Sequence, residues 1–412
     1  MASFSTALSG LKADTTAIDV VGNNLANLNT TGFKASAVSF QDLVTQSIGA
    51  GLGATQVGFG VGIPITLRQF TQGAIQSTGG PLDAAIQGDG FFVVKSANAT
   101  EYTRGGSFEV DTNGDLTTAS GQFVQGWTAV NGVLDTNGPV GNITVPTGTL
   151  AAPVATTTLS AGLNLDASAA AGTTFSTSLQ VYDSLGVAHI ATLSFTKTGT
   201  ANQWTYSGSI PATDTTSPST PVTGTLTFDA NGNLVTPAAT DPQPVISAPG
   251  LADGANDLNI TWNLWSANGA TPDITQYAQT SASSAQAQNG SAAANLVSVG
   301  LANGGIVLAQ YSDGTQVAVG QMALAVIRNP ASLIAAGESN YLPSALTALP
   351  AIGVPGSGGR GTVLGGSVEG STVDIATQFT NLIVYQRAYE ANAHVVTTVD
   401  QLSQDTIALK QQ

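Results

Sequence analysis

Cysteine is absent from the 412 residues, so neither a disulfide nor a thiolate metal ligand is available. Charge is scarce: Asp, Glu, Lys and Arg make up 8% of the chain, against about 25% in ordinary globular proteins. Lys and Arg together number 10 against 25 acidic residues, for a formal net charge of −15. Lys197 is the sole basic residue between Thr147 and Ser291. Phosphate recognition needs clustered Lys and Arg, which excludes nucleic acid as a partner and disfavours an anionic membrane surface. No apolar run reaches the roughly 18 residues of a membrane-spanning helix. The N-terminus lacks a basic stretch followed by an apolar one and a small-residue cleavage site, so it does not read as a cleaved secretory signal. An extracellular location would therefore require export that leaves this end intact.

Small residues fill the place of the missing charges: Gly, Ala, Ser, Thr and Asn dominate. This composition, without cysteine, suits a protein working outside the cell. The length corresponds to two or three domains at about 150 residues each and suffices for a buried core.

Helical periodicity is confined to the two ends. From Ser3 to about Asn29, Phe4, Leu8, Leu11, Ile18 and Leu25 recur in steps of four and three, with Thr15 and Gly22 in the intervening seam positions. Val21 and Leu28 broaden the stripe, and Gly32 provides a left-handed stop after Thr30-Thr31. The second helical segment begins after Gly370, with Ser371 as the expected N-cap and Asp374 in a capping-box position. It carries Ile375, Phe379, Leu382, Tyr389, Ala393, Val396 and Ile407, with no proline from Ser371 to Gln412. Fully helical, it would extend about 60 Å.

Between the ends the pattern is strand and turn. Gly90–Lys95 and Glu101–Arg104 read as strands, as do 178–182, 188–195, 224–228, 258–265, 297–311 and 317–327. Asn-Gly pairs at 113–114, 131–132, 137–138, 231–232 and 303–304 mark tight hairpins. They recur without a fixed period, which argues against a solenoid or propeller. The Gly-rich stretches near residues 41–72 and 353–366, including Gly58–Gly62, read as linkers. The fold class is mostly β with terminal α-helices, and the second half of the β region has the character of an insertion into the first.

Two helical stripes flanking an all-β body can pack onto that body or pair with each other. Pairing would leave Val20, Val21, Leu28, Ile383, Tyr385 and Val395 off the main seam. Exposed apolar surface of that length marks an interaction face, and a contact that does not close on itself builds a helical filament.

Catalytic and metal-binding patterns are weak. Asp111-Thr112-Asn113-Gly114-Asp115 begins like a calcium loop, but Leu116 and Gln122 stand where Gly and Glu are needed. A hairpin turn is the better reading, and Asp229–Asn233 invites the same one. His189 and His394 are the two histidines, too few for a histidine-rich zinc site. His189 is expected to decorate a strand and His394 to sit on the terminal helix. No nucleophile elbow or phosphate loop occurs. Distant carboxylate pairs leave a carbohydrate-active enzyme as a formal rival, although aromatics are 6% of the chain and dispersed. Core packing accounts for Trp127, Trp204, Trp262 and Trp265 more simply. No catalytic residue, cofactor or metal site is expected.

Several motifs resemble one family. Leu25–Lys34 resembles the Ala-Asn-x-Asn-Thr-x-Gly-Phe-Lys motif of bacterial flagellar rod and hook axial proteins through Asn27, Asn29, Thr30, Gly32, Phe33 and Lys34. Gly80–Phe92 and Tyr102–Phe108 resemble two further motifs. Val368–Asp374 and Gln386–Ala393, with Gln386, Arg387, Tyr389 and Asn392, resemble the C-terminal signature, except that Thr372 stands where Asn is common. Tyr182–His189, Asp273–Tyr277 and Tyr311–Gly314 look like segments of hook subunits, whereas a distal rod subunit shares these ends but is much shorter. A surface-layer or adhesin polymer would not need the Asn-Thr-x-Gly-Phe-Lys motif.

The resemblance implies a terminal helical coiled-coil domain (1–40 and 368–412), linker segments (41–72 and 353–367), an inner β-domain (73–147 and 291–352) and an inserted outer β-domain (148–290). It also implies a self-assembling tube that bends while transmitting motor torque. Implied partners are further copies of the chain, the distal rod, the hook cap, hook–filament junction proteins and the flagellar type III export apparatus. The implied location is the flagellar basal body and hook, outside the cell. The implied inter-subunit seam comprises Phe4, Leu8, Leu11, Ile18, Leu25 and Leu28 with Ile375, Phe379, Leu382, Tyr389, Ala393 and Val396.

Overall fold

The computed structural model describes residues 2–43, 46–48, 55–97, 99–130, 133–148, 150–216, 219–266, 269 and 271–410. The chain forms two compact units. One comprises residues 1–147, 298–310 and 316–412, and the other 148–297 and 311–315.

The first unit holds both long helices, α1 (Ala2–Ala26) and α2 (Ile375–Lys410). They run antiparallel, since Asn24 contacts Gln378 and Asp14 contacts Asn392. At 1.5 Å per residue, α2 is roughly 54 Å long and α1 roughly 37 Å, and residues 401–409 of α2 are exposed. The expected N-cap shifts from Ser371 to Asp374, whose Oδ1 accepts the Thr377 amide at 2.7 Å. The Ser371 hydroxyl instead accepts the Val373 amide at 3.3 Å. Two residues, Thr372 and Val373, therefore separate the two candidate caps.

The rest of this unit is antiparallel β-structure. A 13-stranded sheet is built around Phe91–Lys95, Phe123–Thr128 and Gln316–Met322. Strands remote in sequence tie the two chain ends together: Ile75–Ser77 pairs with Ser367–Glu369, and Ala84–Gln87 with Thr362–Gly365. Gly58–Gly62, expected as a flexible linker, is engaged with α1. Val61 donates its amide to the Ser9 hydroxyl at 3.1 Å, and Gly62 to the Gln41 carbonyl at 2.7 Å. Small residues permit this close approach of backbone to helix.

The second unit is a β-sandwich. One sheet is the antiparallel meander of Thr174–Tyr182, Ala188–Lys197, Gln203–Ser209, Val222–Phe228 and Leu234–Thr236. The other contains Val245–Ala248, Leu258–Asn263, Thr158–Asn164, Ile274–Thr275 and Ala282–Gln288. Alternation along Ala188–Lys197 buries Ala191, Leu193 and Phe195, as a half-buried strand requires. Trp262 of the second sheet meets Phe195 and Tyr206 of the first edge to face, with centroids at 5.8 and 5.3 Å.

The turn readings at 111–115 and 229–233 hold. Asp111 Oδ1 accepts the amides of Asn113 and Asp115, and Asp229 Oδ1 those of Asn231 and Asn233. The pair Asn131-Gly132 lies outside the described residues. Trp127, Trp204 and Trp262 are buried as expected, and Trp265 packs partly buried against the sandwich core.

Candidate functional site: terminal helices and a buried ion cluster

In α1 the buried positions are Ala7, Gly10, Ala13, Asp14, Ala17, Val21 and Asn24; all but Ala13 again fall in alternating steps of three and four. This is the expected heptad moved one residue toward the N-terminus. Small and polar residues line the intramolecular seam, and the large apolar residues stand on its flank. On α2, Gln378 is buried and Asn381, Tyr385, Ala388 and Asn392, one residue before the expected seam positions, are half-buried, as are Leu382, Ala393, Val396 and Val399.

The expected seam residues are consequently not sequestered within the pair. Phe4, Leu8, Ile375, Phe379 and Tyr389 are exposed, Phe379 to 52%. Leu11, Ile18, Leu25, Leu28, Leu382, Ala393 and Val396 are half-buried. Beyond the seam, Ile383, Val384, Val395, Leu402, Ile407 and Leu409 are also exposed. Val20 and Leu28 are half-buried, and Val21 belongs to the buried stripe.

Polar contacts fix how α1 and α2 align. Asn24 donates to Gln378 Oε1 at 3.0 Å and to the Ser36 carbonyl at 2.8 Å, while its Oδ1 accepts the Ser36 amide at 3.0 Å. Asn392 donates to Asp14 Oδ2 at 2.9 Å. A polar group at a seam position specifies register, because any slip leaves it unpaired.

The sequence motifs meet at one point in the first unit. Lys34 Nζ lies 2.6 Å from Glu369 Oε1 and 2.6 Å from the Thr71 carbonyl. Arg104 donates to Glu369 Oε2 at 3.1 Å and to the Gly88 carbonyl at 2.8 Å. Gly73 donates its amide to Glu369 Oε1 at 2.7 Å. The Lys34 and Glu369 side chains are 0% exposed and that of Arg104 is 5% exposed. Burial holds the Lys34 ammonium below its ordinary range, opposed by its bond to Glu369. Arg104 also lies 5.4 Å from the centre of the Phe91 ring, a cation–π contact. Lys34, Gly88, Arg104 and Glu369 come from different motifs, so the cluster joins stretches recognised separately in sequence.

The other motif residues support this junction. Gly32 has φ +67°, and a Cβ there would lie 2.4 Å from the Gly105 nitrogen. Its amide donates to the Glu369 carbonyl at 2.8 Å. Thr372 donates its amide to the Phe33 carbonyl at 3.1 Å and accepts the Ala35 amide on Oγ1 at 2.8 Å. Threonine thus supplies a working acceptor where Asn is common. Asn27 accepts the Thr30 hydroxyl at 3.1 Å, and Asn29 and Thr30 are exposed. Gln386 is exposed, and Arg387 makes an exposed contact with Glu390 at 3.0 Å.

His189 was not legible as more than a strand residue, yet in the second unit it is buried among carboxylates. Nε2 lies 2.9 Å from Asp183 Oδ2 and 3.9 Å from Asp253 Oδ2, and Nδ1 lies 3.0 Å from Asp214 Oδ2. Burial lowers its pKa, but the Asp183 and Asp214 hydrogen bonds outweigh that and raise it. The local spacing of Asp183 and His189 was visible; the approach of Asp214 and Asp253 depends on the tertiary fold. His394 lies exposed on α2.

Comparison with known proteins covers these features in chain order. The family described as "Flagella basal body rod protein" matches residues 4–34. "Flagellar hook protein FlgE/F/G D1 domain" matches 85–160, "Flagellar basal body protein FlaE D2 domain" 149–291, and "Flagellar basal body rod FlgEFG protein C-terminal" 364–409. The chain is 34% identical to the flagellar hook protein FlgE of Treponema pallidum, with 100% of both chains covered. It is 33% identical to that of Salmonella typhimurium over 99% of this chain and 100% of the relative. The crystal structure of Helicobacter pylori flagellar hook protein FlgE2 aligns with a TM-score of 0.51, covering 70% of this chain and 99% of that one. At 13% identity this last likeness concerns the fold alone.

Proposed function

Because the chain belongs to the flagellar hook protein family, we propose that its terminal helices join copies of this structural subunit into the curved, flexible tube between rod and filament. The observation that carries this reading is the exposed apolar flank of the helix pair. Phe4, Leu8, Ile375, Phe379 and Tyr389 remain accessible after α1 and α2 have met. Their burial against neighbouring copies would contribute about 25 cal/mol per Å². The seam on this reading comprises the residues expected from the sequence, including half-buried Leu11, Ile18, Leu25, Leu28, Leu382, Ala393 and Val396.

In this proposal residues 1–40 and 368–412 form the assembling domain, joined by 41–72 and 353–367 to an inner β-domain (73–147 and 291–352). Residues 148–290 form the outer β-domain. Delivery is by the flagellar type III export apparatus without signal cleavage, and the contacting structures are the distal rod, the hook cap and the junction proteins. The tube transmits motor torque while bending, and no catalysis is assigned to it. Weak, exchangeable contacts suit sliding between subunits, and the Thr-, Ser-, Ala- and Gly-rich surface supplies them.

Electron microscopy of the purified full-length chain under assembly conditions tests the reading. Tubes are expected from the full chain and none from a chain lacking residues 1–34 and 371–412. Persistent monomers, or equal assembly without the helices, would overturn it. A deletion strain should retain its rod and lose hook and filament. Charge or bulk introduced on residues 148–290 should stiffen the tube; unchanged bending across such variants counts against the sliding role.

A further inference from the structure

We propose that Asp183, His189 and Asp253 form a three-ligand site for one divalent transition-metal ion, with Zn²⁺ the best match to one imidazole nitrogen and two carboxylate oxygens. Their ligand atoms lie within 4.8 Å of one another. Metal–ligand bonds of about 2.0–2.2 Å place tetrahedral ligands roughly 3.3–3.6 Å apart. The observed Nε2 separations of 2.9 and 3.9 Å bracket that spacing, so small side-chain adjustments admit the ion. Water completes the coordination.

The side chains are held ready by their other atoms. Asp183 Oδ1 accepts the amides of Leu185 and Val187, at 2.8 and 3.0 Å, leaving Oδ2 toward the imidazole. Asp253 Oδ1 accepts the Ala255 amide at 3.0 Å, and its Oδ2 faces the site. Asp214 Oδ2 lies 3.0 Å from His189 Nδ1. A carboxylate at the far ring nitrogen orients a metal-binding imidazole and strengthens it as a ligand.

An independent observation from the chemistry of the whole segment also points to a cation. Asp183, Asp214 and Asp253 surround one imidazole, and Lys197 is the sole Lys or Arg between Thr147 and Ser291. Lys197 lies eight residues from His189 on the strand Ala188–Lys197, roughly 26 Å away at 3.3 Å per residue. No lysine or arginine of this segment reaches the cluster. Metal binding uses the neutral imidazole, so a bound divalent ion would take the place of the imidazolium proton as the positive charge facing these carboxylates.

Access and burial fit the same assignment. The Asp183 and His189 side chains are 0% and 6% exposed, while those of Asp253 and Asp214 are 26% and 28% exposed. The site has a buried floor and a rim open enough to admit an ion. Its ligands come from the turn after Thr174–Tyr182, the following strand and the Leu251–Gly254 turn. Binding would therefore staple loops far apart in sequence, a structural role. Calcium is the poorer match, since it takes six to eight oxygen ligands.

The test is calorimetric titration of the metal-free full-length chain, held monomeric, with ZnCl₂, paired with thermal unfolding. The expected result is saturable binding of one Zn²⁺ per chain and a higher Tm for the second unit. Asp253→Asn and His189→Gln should each weaken binding by at least about 10-fold. Asp214→Asn should weaken it by about 10- to 100-fold through the orienting bond. Circular dichroism establishes that each variant is folded. X-ray absorption at the zinc edge, on the wild-type chain, supplies a readout independent of mutation: nitrogen and oxygen neighbours near 2.0–2.1 Å are expected. Absence of stoichiometric binding, undiminished affinity in folded Asp253→Asn, or zinc surrounded by water alone would each overturn the assignment.

Discussion

Lys34 Nζ lies 2.6 Å from Glu369 Oε1, joining residues 335 positions apart inside a site from which water is excluded. Glu369 also receives Arg104 at 3.1 Å, so two cations share one carboxylate. Removing a single partner of a buried pair leaves an uncompensated charge, typically at a cost of 3–5 kcal/mol. Glu369→Gln, which strands both cations, should destabilise the first unit by about that amount, and Lys34→Met should cost less, because Arg104 still neutralises Glu369. Denaturant unfolding of the monomer measures this. The double variant Lys34→Met/Glu369→Leu should lose clearly less than the sum of the singles, because Lys34 is no longer stranded by the loss of its carboxylate, although Arg104 still loses its own partner. Strict additivity would show that the pair does not act as a unit.

Assembly should separate from folding on the exposed helical flank. Phe379 and Leu8 are exposed in the monomer, so Phe379→Asp and Leu8→Asp should leave the monomer's unfolding midpoint nearly unchanged. Both should greatly reduce tube formation by placing a charge where the proposed neighbour's apolar surface would sit. Gln386→Glu, on the exposed surface of the same helix, provides a comparison for added charge as such. Turbidity and electron microscopy at matched concentrations read assembly, and circular dichroism reads the fold. A normal tube yield from Phe379→Asp would remove that side chain from the interface.

Much of the fold was legible because its periods are strong. Apolar spacing identified the helices, and Asn-Gly pairs such as Asn113-Gly114 and Asn231-Gly232 marked tight turns. The same apolar pattern misplaced the intramolecular helix seam. Hydrophobicity marks Phe4, Leu8 and Leu11, whereas the contact buries Ala7, Gly10 and Asp14. Close helix approach favours small residues, which carry little hydrophobic signal. The ion cluster was visible only as separate motifs: nothing local to Lys34 specifies Glu369 as its counterion. The carboxylate shell around His189 was hidden for the same reason, since Asp214 and Asp253 reach it through tertiary structure.

Two glycines on α1 should respond oppositely to alanine. A Cβ at Gly10 would stand 2.7 Å from Asn392 Nδ2, whereas one at Gly22 would meet nothing within 4 Å. Gly22→Ala should stabilise the monomer by about 0.5–1 kcal/mol through helix propensity. Gly10→Ala gains the same propensity but displaces Asn392 from its 2.9 Å bond with Asp14. A hydrogen bond to a charged group contributes about 1.5–3 kcal/mol, so the net effect should be destabilising by about 1 kcal/mol or more. Denaturant unfolding gives the sign for each variant. Stabilisation by both would show that Asn392 moves aside without loss.

Asp374 makes the start of α2 sensitive to acid. The Thr377 side chain is the leading influence holding its carboxyl below the ordinary range, with the Thr377 backbone amide adding to it. In the unfolded segment this group titrates near 3.8. A folded pKa below the unfolded one means that the ionised cap contributes fully above the unfolded value and fades as pH falls through the folded value. Hydrogen exchange at the Thr377 and Gln378 amides should therefore accelerate relative to the intrinsic rate on going from about pH 5 to about pH 2. Asp374→Asn keeps an acceptor at the N-cap but removes the titration, so it should flatten that local response. Asp374→Ala should fray the first turn at both pH values. An unchanged acid response in folded Asp374→Asn would assign the sensitivity to another group.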